Sequence, residues 1–363
     1  VDGLAVGALQ GADPGLSVLT LDGSHGEGGG QLLRTAVALA VALRRPLELT
    51  RVRVRRPKPG LQPQHLAVVR ALAAIADATV RGDALGSTEL SFVPRTVRAG
   101  DHLVDVAATR PSAGSVTLLF QALLLPLALA GAPSRLVLRG GTHVPWSPVV
   151  PYLTDVFLPA VASMGLGAEI RLRRWGWYPA GGGEIEASIE PWTPGAGFRA
   201  TAPMPDAHVV GLSAVSRLPL SIAERQRQRA EQRLRAAGLA VNIALERDDA
   251  AHGAGTVIFL ARRGRAGFSA LGRRGVPAER VADMAVDALL GWRASGATVD
   301  AHLADQLVPF LAFARGPSRY TCPELTSHLR TVAWVVEQFL PTTITMAGEG
   351  PVQVEISGVG GPG

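Results

Sequence analysis

Three stretches of the 363-residue chain repeat one order of elements, and that repetition limits the folds open to it more than any single motif does. The first stretch runs from GEGGGQLLRTAVALAVAL through the strand-like LELTRVRV and the proline-glycine loop RPKPGLQP to a second helix, QHLAVVRALAAIADA. The second has SAGSVTLLFQALLLPLALA, SRLVLRGG, the loop THVPWSPVVP and the helix YLTDVFLPAVASMG. The third has AHLADQLVPFLAFA, SRYTCPEL, the helix SHLRTVAWVVEQFL and the strand-like TTITMA. Strands alternating with apolar helices predict a mixed α/β protein built from βαβ-type units, with helices packed on sheets. In QHLAVVRALAAIADA, Leu66, Val69, Leu72 and Ile75 recur at helical spacing, which predicts a buried face.

Between YPAGGGEIEASIE and the third unit the texture changes. From about Pro191 to Arg265 the chain is more polar and carries the charged helix IAERQRQRAEQRLRAAG, followed by strand-like VNIALE and TVIFLA. This predicts a small α/β domain at 191–265 inserted into a main body formed by 1–190 and 266–363. The charge run itself is expected to be a solvated helix face. With 47% hydrophobic residues the chain has ample material for a large core, and 42 glycines and 26 prolines imply many short elements joined by tight turns. The residues through Gly15 read as a loose tail.

Thirty-six Lys and Arg against 30 Asp and Glu leave a formal charge of +6, which suits an anionic partner without identifying one. The lone Cys322 excludes an internal disulfide framework and agrees with a reducing cytoplasm. Neither a secretory leader nor a membrane span is expected, because the apolar runs are short or broken by Pro and charge. HExxH, paired CxxC and GxSxG are all absent, which argues against a zinc peptidase, a zinc module and an α/β-hydrolase.

The stretch GEGGGQLLR, Gly26 to Arg34, places four glycines and a glutamate before an apolar helix. Two roles are open to it: a tight structural turn, or an anion site formed by flexible glycines and free helix N–H groups. It is neither a Walker loop nor GxGxxG, and Glu27 repels phosphate unless a cation stands between them; a divalent metal resolves that conflict. A basic run, Arg51, Arg53, Arg55, Arg56 and Lys58, lies in RVRVRRPKPGLQPQH. If the strand continues through it, Arg51, Arg53 and Arg55 share a face suited to phosphate oxygens; an exposed strand face is the plain alternative. In TSHLRT, Thr326 or Ser327 is a good N-cap and puts His328 in the first turn of a helix. The helix dipole there disfavours imidazolium, so the ring keeps a lone pair and can serve as a nucleophile for phosphorus, or simply as a structural residue. Cys322 is expected to be buried and inert.

Together these segments resemble the RNA 3'-terminal phosphate cyclase family, through LDGSHGEGGGQLLRTAVALA, KPGLQPQHLAVVRA, SAGSVTLLFQALLLP, PSRLVLRGGTH, WYPAGGGE, LADQLVPFLAFA and TSHLRTVAWVVEQFL. The resemblance implies an α/β architecture of repeated βαβαββ units, as in enolpyruvyl transferases, with a small inserted α/β domain. It implies an ATP-dependent conversion of an RNA 3'-phosphate into a 2',3'-cyclic phosphate, with release of AMP and pyrophosphate. By matching position, His328 is the nucleophile that takes AMP, and Glu27 helps to hold Mg2+ or Mn2+. Gln31, Pro145, His302, Asp305 and Gln306 lie at the nucleotide, with Pro145 against the adenine. Arg34, Arg53, Arg56 and Gln64 face phosphates or the RNA end. The implied partners are ATP and an RNA 3'-phosphate end, with no membrane; monomer and dimer both remain open. The chain departs from the family pattern at Val332, where an Asn is common, at His302, where an aromatic is common, and at Arg110 and Pro111. Relatives that act as scaffolds lack the nucleophilic histidine, and enolpyruvyl transferases lack the GEGGGQ and histidine-helix segments.

Overall fold

The computed structural model describes residues 17–106, 113–202 and 208–361. Arg110, Pro111 and the expected N-terminal tail lie outside these residues.

The first unit consists of β1 (Leu19–Asp22), α1 (Gly30–Ala42), β2 (Leu47–Thr50), α2 (Pro63–Ala76), β3 (Thr79–Arg81) and β4 (Leu90–Val93). Its strands lie in the order β1-β2-β4-β3, with β1 and β2 parallel and the rest antiparallel. The second unit repeats this with β5 (Asp101–Asp105), α3 (Val116–Ala128), β6 (Ser134–Gly140), α4 (Val150–Tyr152), a π turn at Leu153–Phe157, α5 (Leu158–Ala162), β7 (Ala168–Arg174) and β8 (Gly183–Ile189). Its order is β5-β6-β8-β7, again with the first pair parallel.

The third unit starts with β9 (Arg199–Ala200) and is then interrupted by β10 (Val209–Ser216), α6 (Leu220–Ala236), β11 (Val241–Asp248), β12 (Gly255–Arg262), β13 (Ala266–Leu271) and α7 (Ala278–Ser295). These four strands form a sheet of their own, β11-β10-β12-β13. The third unit resumes with α8 (Ala301–Ala312), β14 (Pro317–Cys322), α9 (Ser327–Phe339), β15 (Ile344–Ala347) and β16 (Val352–Ser357). Here β9 runs parallel beside β14 in the order β9-β14-β16-β15, so all three units share one topology.

Two sequence expectations change. The extra elements fall between the first strand and first helix of the third unit, so their limits differ from 191 and 265. Residues 199–200 pair with β14, while β13 pairs with β12 and α7 packs on both β12 and β13. A two-residue strand leaves no periodic pattern in a sequence, and AGFSAL alternates too weakly to be assigned to one sheet. The arginine run is not a strand either. β2 stops at Thr50, and Arg51 and Arg53 take left-handed φ values of 53° and 55°. Val52, buried, anchors the turn by donating its N–H to Thr88 O (2.8 Å) and accepting from Gly60 N (3.1 Å). The alternation that would align the three guanidiniums is therefore lost.

Each sheet of the three units turns one face outward, as the alternating burial of β7 and β8 shows. The inner faces and the helices share one hydrophobic core. Helix α1 is buried nearly all round, because α2, α3 and α9 all pack on it. Leu66, Val69, Leu72 and Ile75 of α2 are buried as their spacing predicts. The fourth sheet keeps a core of its own, with Val209, Leu234, Ile258, Leu260 and Val286. The charged helix α6 buries only a narrow stripe, and its arginines pair across to α7: Arg225 with Glu279 (2.7 Å), Arg229 with Asp283 (2.8 Å) and Arg233 with Asp287 (2.7 Å). Among the described residues no helix is long and apolar enough to cross a membrane.

Asp300 joins three parts of this architecture. It caps α8 by accepting from His302 N and Leu303 N (both 2.8 Å), accepts from Gly267 N of β13 (2.9 Å), and accepts from the Tyr152 hydroxyl of α4 (3.1 Å). Asp300→Ala leaves these buried donors without a partner and is expected to lower stability by about 2–4 kcal/mol. Urea unfolding reads this directly, and a loss under about 0.5 kcal/mol would contradict the assigned role.

Candidate active site

The glycine turn follows from what it must pack against. After β1, Asp22 Oδ1 accepts from Ser24 N (2.8 Å) and Ser24 Oγ (2.7 Å), and the chain turns through Gly26 and Gly28 at φ 56° and 55°. A Cβ added at Gly29 would strike the Glu27 carboxylate and Arg56; one at Gly30 would stand 2.5 Å from His65 Nε2 and 3.1 Å from Arg34. Glycine therefore makes room here for four functional side chains. The N-cap, Gly29, makes no side-chain cap bond and the first turn of α1 holds no acid, so the helix end keeps free N–H donors and its partial positive charge.

The histidine is held by two distant segments. Thr326 caps α9 by accepting from Leu329 N (3.0 Å), which sets His328 in the first turn. His328 Nδ1 bonds Gln31 Oε1, and Gln31 Nε2 donates to Asp305 Oδ1 at 2.8 Å. With the Gln31 amide oxygen assigned to the ring side and its nitrogen to Asp305, the matching tautomer carries the hydrogen on Nδ1 and the lone pair on Nε2. Burial is the main force lowering the imidazole pKa; Glu27 opposes it, while His302, Arg34 and Arg56 lower it further. Asp305 is buried, and burial together with the Asp300 charge pushes its pKa well up, against the Gln31 hydrogen bond and Arg34. Asp305 thus reaches His328 through Gln31 and not by direct contact.

Around this histidine lies a cleft of about 530 Å³, lined among others by Gln31, Arg34, His302, Asp305, Gln306 and His328. Six of the residues expected at a site are thus gathered on one concave surface. Arg34 is half-buried; desolvation lowers its pKa to about 10, opposed by Glu27 and Asp305, and it stays charged at neutral pH. Gln306 Oε1 accepts from Gln121 Nε2 of α3 at 2.7 Å. Glu27 sits at the edge, with Oε2 paired to Arg56 and Oε1 3.9 Å from His328 Nδ1. Arg56 also donates to the Glu27 carbonyl (2.8 Å), and Arg53 Nη1 donates to Lys58 O and Gly60 O (both 2.8 Å), closing its own turn. Gln64 and Pro145 are not among the lining residues. The wall beside Pro145 is instead made by Trp146, Ser147 and Pro148, and Trp146 is 95% exposed with φ 59°.

Two side chains in this region have no role expected from the sequence. His65 accepts at Nδ1 from Gln62 N (3.1 Å) within a reciprocal capping box, which leaves Nε2–H directed at the α1 terminus; burial, with Arg53 and Arg34, lowers its pKa to about 3. The signal was present in QPQH, since a histidine three residues after a cap can take the place of the usual Glu or Gln. Thr331 is the other, and its hydroxyl accepts from Glu27 N at 3.1 Å. Cys322 is buried, and burial raises its thiol to about 11, in accord with an inert residue.

Among the described residues no three His, Cys, Asp or Glu side chains gather to cage a metal ion. Glu27 Oε1, however, is buried without a hydrogen-bond partner. One carboxylate oxygen completed by substrate phosphates is a usual donor set for Mg2+, and Glu27 fits that set.

Three like α/β units whose first and last members jointly hold a hydrogen-bonded histidine over a cleft lined by Arg34 and Asp305 define a repeat protein with an enzyme's site. The family model described as RNA 3'-terminal phosphate cyclase matches residues 25–346, and the chain belongs to that family. Proteins named RNA 3'-terminal phosphate cyclase from Trichormus variabilis and Methylococcus capsulatus are 44% and 45% identical to it, over 89% of this chain and 94% and 91% of their own lengths. One from Pyrococcus abyssi is 42% identical over 92% of this chain and 96% of its own. Among solved structures, the enolpyruvyl transferase NikO from Streptomyces tendae matches at 15% identity over 59% of this chain and 37% of its own, with a TM-score of 0.27.

In the metal-free protein without nucleotide, His328 is expected to titrate below its ordinary pKa of 6.5, so that the neutral ring persists into mildly acid solution. Its 15N shifts should show hydrogen on Nδ1 and a bare Nε2. A midpoint above 6.5, or a dominant Nε2–H form, would contradict the hydrogen-bond chain.

Proposed function

We propose that this chain converts an RNA 3'-terminal phosphate into a 2',3'-cyclic phosphate at the expense of ATP, through a covalent His328–AMP and an RNA–adenylate. The observation that carries it is the chain Asp305–Gln31–His328, which leaves the Nε2 lone pair of an uncharged imidazole in a cleft beside the half-buried Arg34. In the first step Nε2 attacks the α-phosphorus of ATP, a P–N bond forms, the bond to the β-phosphate breaks, and pyrophosphate leaves. In the second, an oxygen of the RNA 3'-phosphate attacks the same phosphorus, the P–N bond breaks, and neutral His328 is restored. In the third, the adjacent ribose 2'-OH attacks the 3'-phosphorus with loss of its proton, and AMP departs. Adenylation turns a poor leaving group into the departing half of an anhydride, so what remains is positioning and neutralisation of charge.

Residues of this chain divide that work. Gln31 holds the ring tautomer, and Asp305 holds Gln31. Arg34, with the free N–H groups of α1, meets phosphate charge. His302, Gln306 and Pro145 are assigned to the nucleotide, with Trp146 beside them; Arg53, Arg56 and Gln64 are assigned to the RNA end, and His65 adds an uncharged donor next to it. A Mg2+ or Mn2+ ion held by Glu27 and the phosphates would neutralise charge on the leaving pyrophosphate.

Incubation with α-labelled ATP and a divalent metal should leave label on the protein through a bond stable to alkali and labile to acid, absent in His328→Ala. No retained label on the wild type, together with no cyclisation of a 3'-phosphorylated oligonucleotide, would sink the proposal. Glu27→Ala should need more metal for half-maximal self-adenylation, by roughly tenfold or more. An unchanged metal titration would remove Glu27 from that role.

A further inference from the structure

Beside the cleft, on the same edge of the molecule, His25 and Trp334 stack with ring centroids 3.8 Å apart and planes 13° apart. His25 is exposed on the turn between β1 and Glu27, and Trp334 is half-buried on α9. Six residues of helix place Trp334 about 9 Å along the axis from His328. Two residues of chain keep the His25 Cα within about 7 Å of that of Glu27. One face of the imidazole lies on the indole, and since the ring is exposed its other face meets solvent.

Exposed cations lie near each partner of the stack. Arg51 bonds Asp22 at 3.1 Å, Arg55 also acts on the Asp22 carboxylate, and the Asp22 carbonyl accepts from His25 N at 3.1 Å. From the other side, Arg330 is exposed one helical turn before Trp334 and on the same side of α9. The stack is not needed to dock the glycine turn on the helix, because the Thr331 hydroxyl already holds Glu27 N. A π surface framed by guanidiniums is what a single strand of nucleic acid requires: a platform for a base and charge for the flanking phosphodiester.

We propose that the His25–Trp334 pair is a base platform that receives the nucleobase of the last or next-to-last nucleotide of the RNA, with Arg51, Arg55 and Arg330 on its phosphodiester. This rests on the proposal that an RNA 3'-phosphate end binds beside Glu27.

The test is binding by fluorescence anisotropy, without ATP, of a labelled single-stranded RNA bearing a 3'-phosphate to the full chain. His25→Ala should weaken binding by roughly 5- to 150-fold, and His25→Tyr should bind within about threefold of wild type. An abasic residue at one of the last two positions should weaken the wild type by a similar factor but affect His25→Ala little. Equal abasic losses in wild type and His25→Ala, or a change under about twofold in His25→Ala, would overturn the platform. So would a parallel fall in self-adenylation of His25→Ala, since that would make the stack a brace for Glu27. Equal affinity for 3'-phosphate and 3'-hydroxyl RNA would refute the end-binding role on which the platform rests, while the coupling between His25 and the abasic position would still decide the platform itself.

Discussion

The hydrogen bond from Glu27 N to the Thr331 hydroxyl joins segments 304 residues apart and seats the glycine turn against α9, where the site forms. Thr331 also donates to Ser327 O at 2.7 Å, so one hydroxyl ties the glycine turn to the first turn of α9. A side chain at Gly26 would collide with Thr331, which explains why glycine stands there. Once the turn is seated, Gln31 reaches both His328 and Asp305, and Glu27 reaches Arg56. Every chemically able group near the histidine is thus placed by packing the first unit against the third.

That dependence sets what a sequence could disclose. The helices were legible because Leu66, Val69, Leu72 and Ile75, and their counterparts elsewhere, repeat at 3.6 residues and all find one core. The capped helix start at Thr326 was legible for the same local reason, and so was a neutral His328, although burial lowers its pKa more than any other cause. What escaped is non-local. The strand pattern of LELTRVRV ends where Val52 is drawn to Thr88, a partner that periodicity does not reveal. The two-residue β9 is a strand only because β14 is beside it. Gln31 is expected at the nucleotide; its place between Asp305 and His328 emerges only when three helices meet.

Glu27 lies between two of the site's cations, which helps the cleft hold them before any ligand arrives. Arg34 lies near Glu27 and Asp305, both of which raise its pKa against the cost of burial. Arg56 is paired with Glu27 from the outer side. A half-buried guanidinium without a tight pair of its own among the described residues can turn to an incoming anion with little reorganisation. Glu27 Oε1, without a hydrogen-bond partner among the described residues, has the complementary property: a cation would satisfy it.

The absence of a lysine from GEGGGQLLR then has a structural answer. Gly30 opens α1, His65 stands in the first turn of α2, and His328 stands in the first turn of α9. His65 Nε2 points at Gly30 and His328 bonds Gln31, so the N-termini of three helices converge on one place. Each terminus carries about half a positive charge, fixed in direction by its own backbone. With Arg34 among them, they form a cationic field that does not depend on a flexible ammonium group. Such a field accommodates a carboxylate at Glu27, and it also depresses the pKa of a histidine placed within it. The same convergence sets positive charge around the imidazole, whose pKa burial lowers most, and it arises from repeating one βαβαββ unit and closing the last copy against the first.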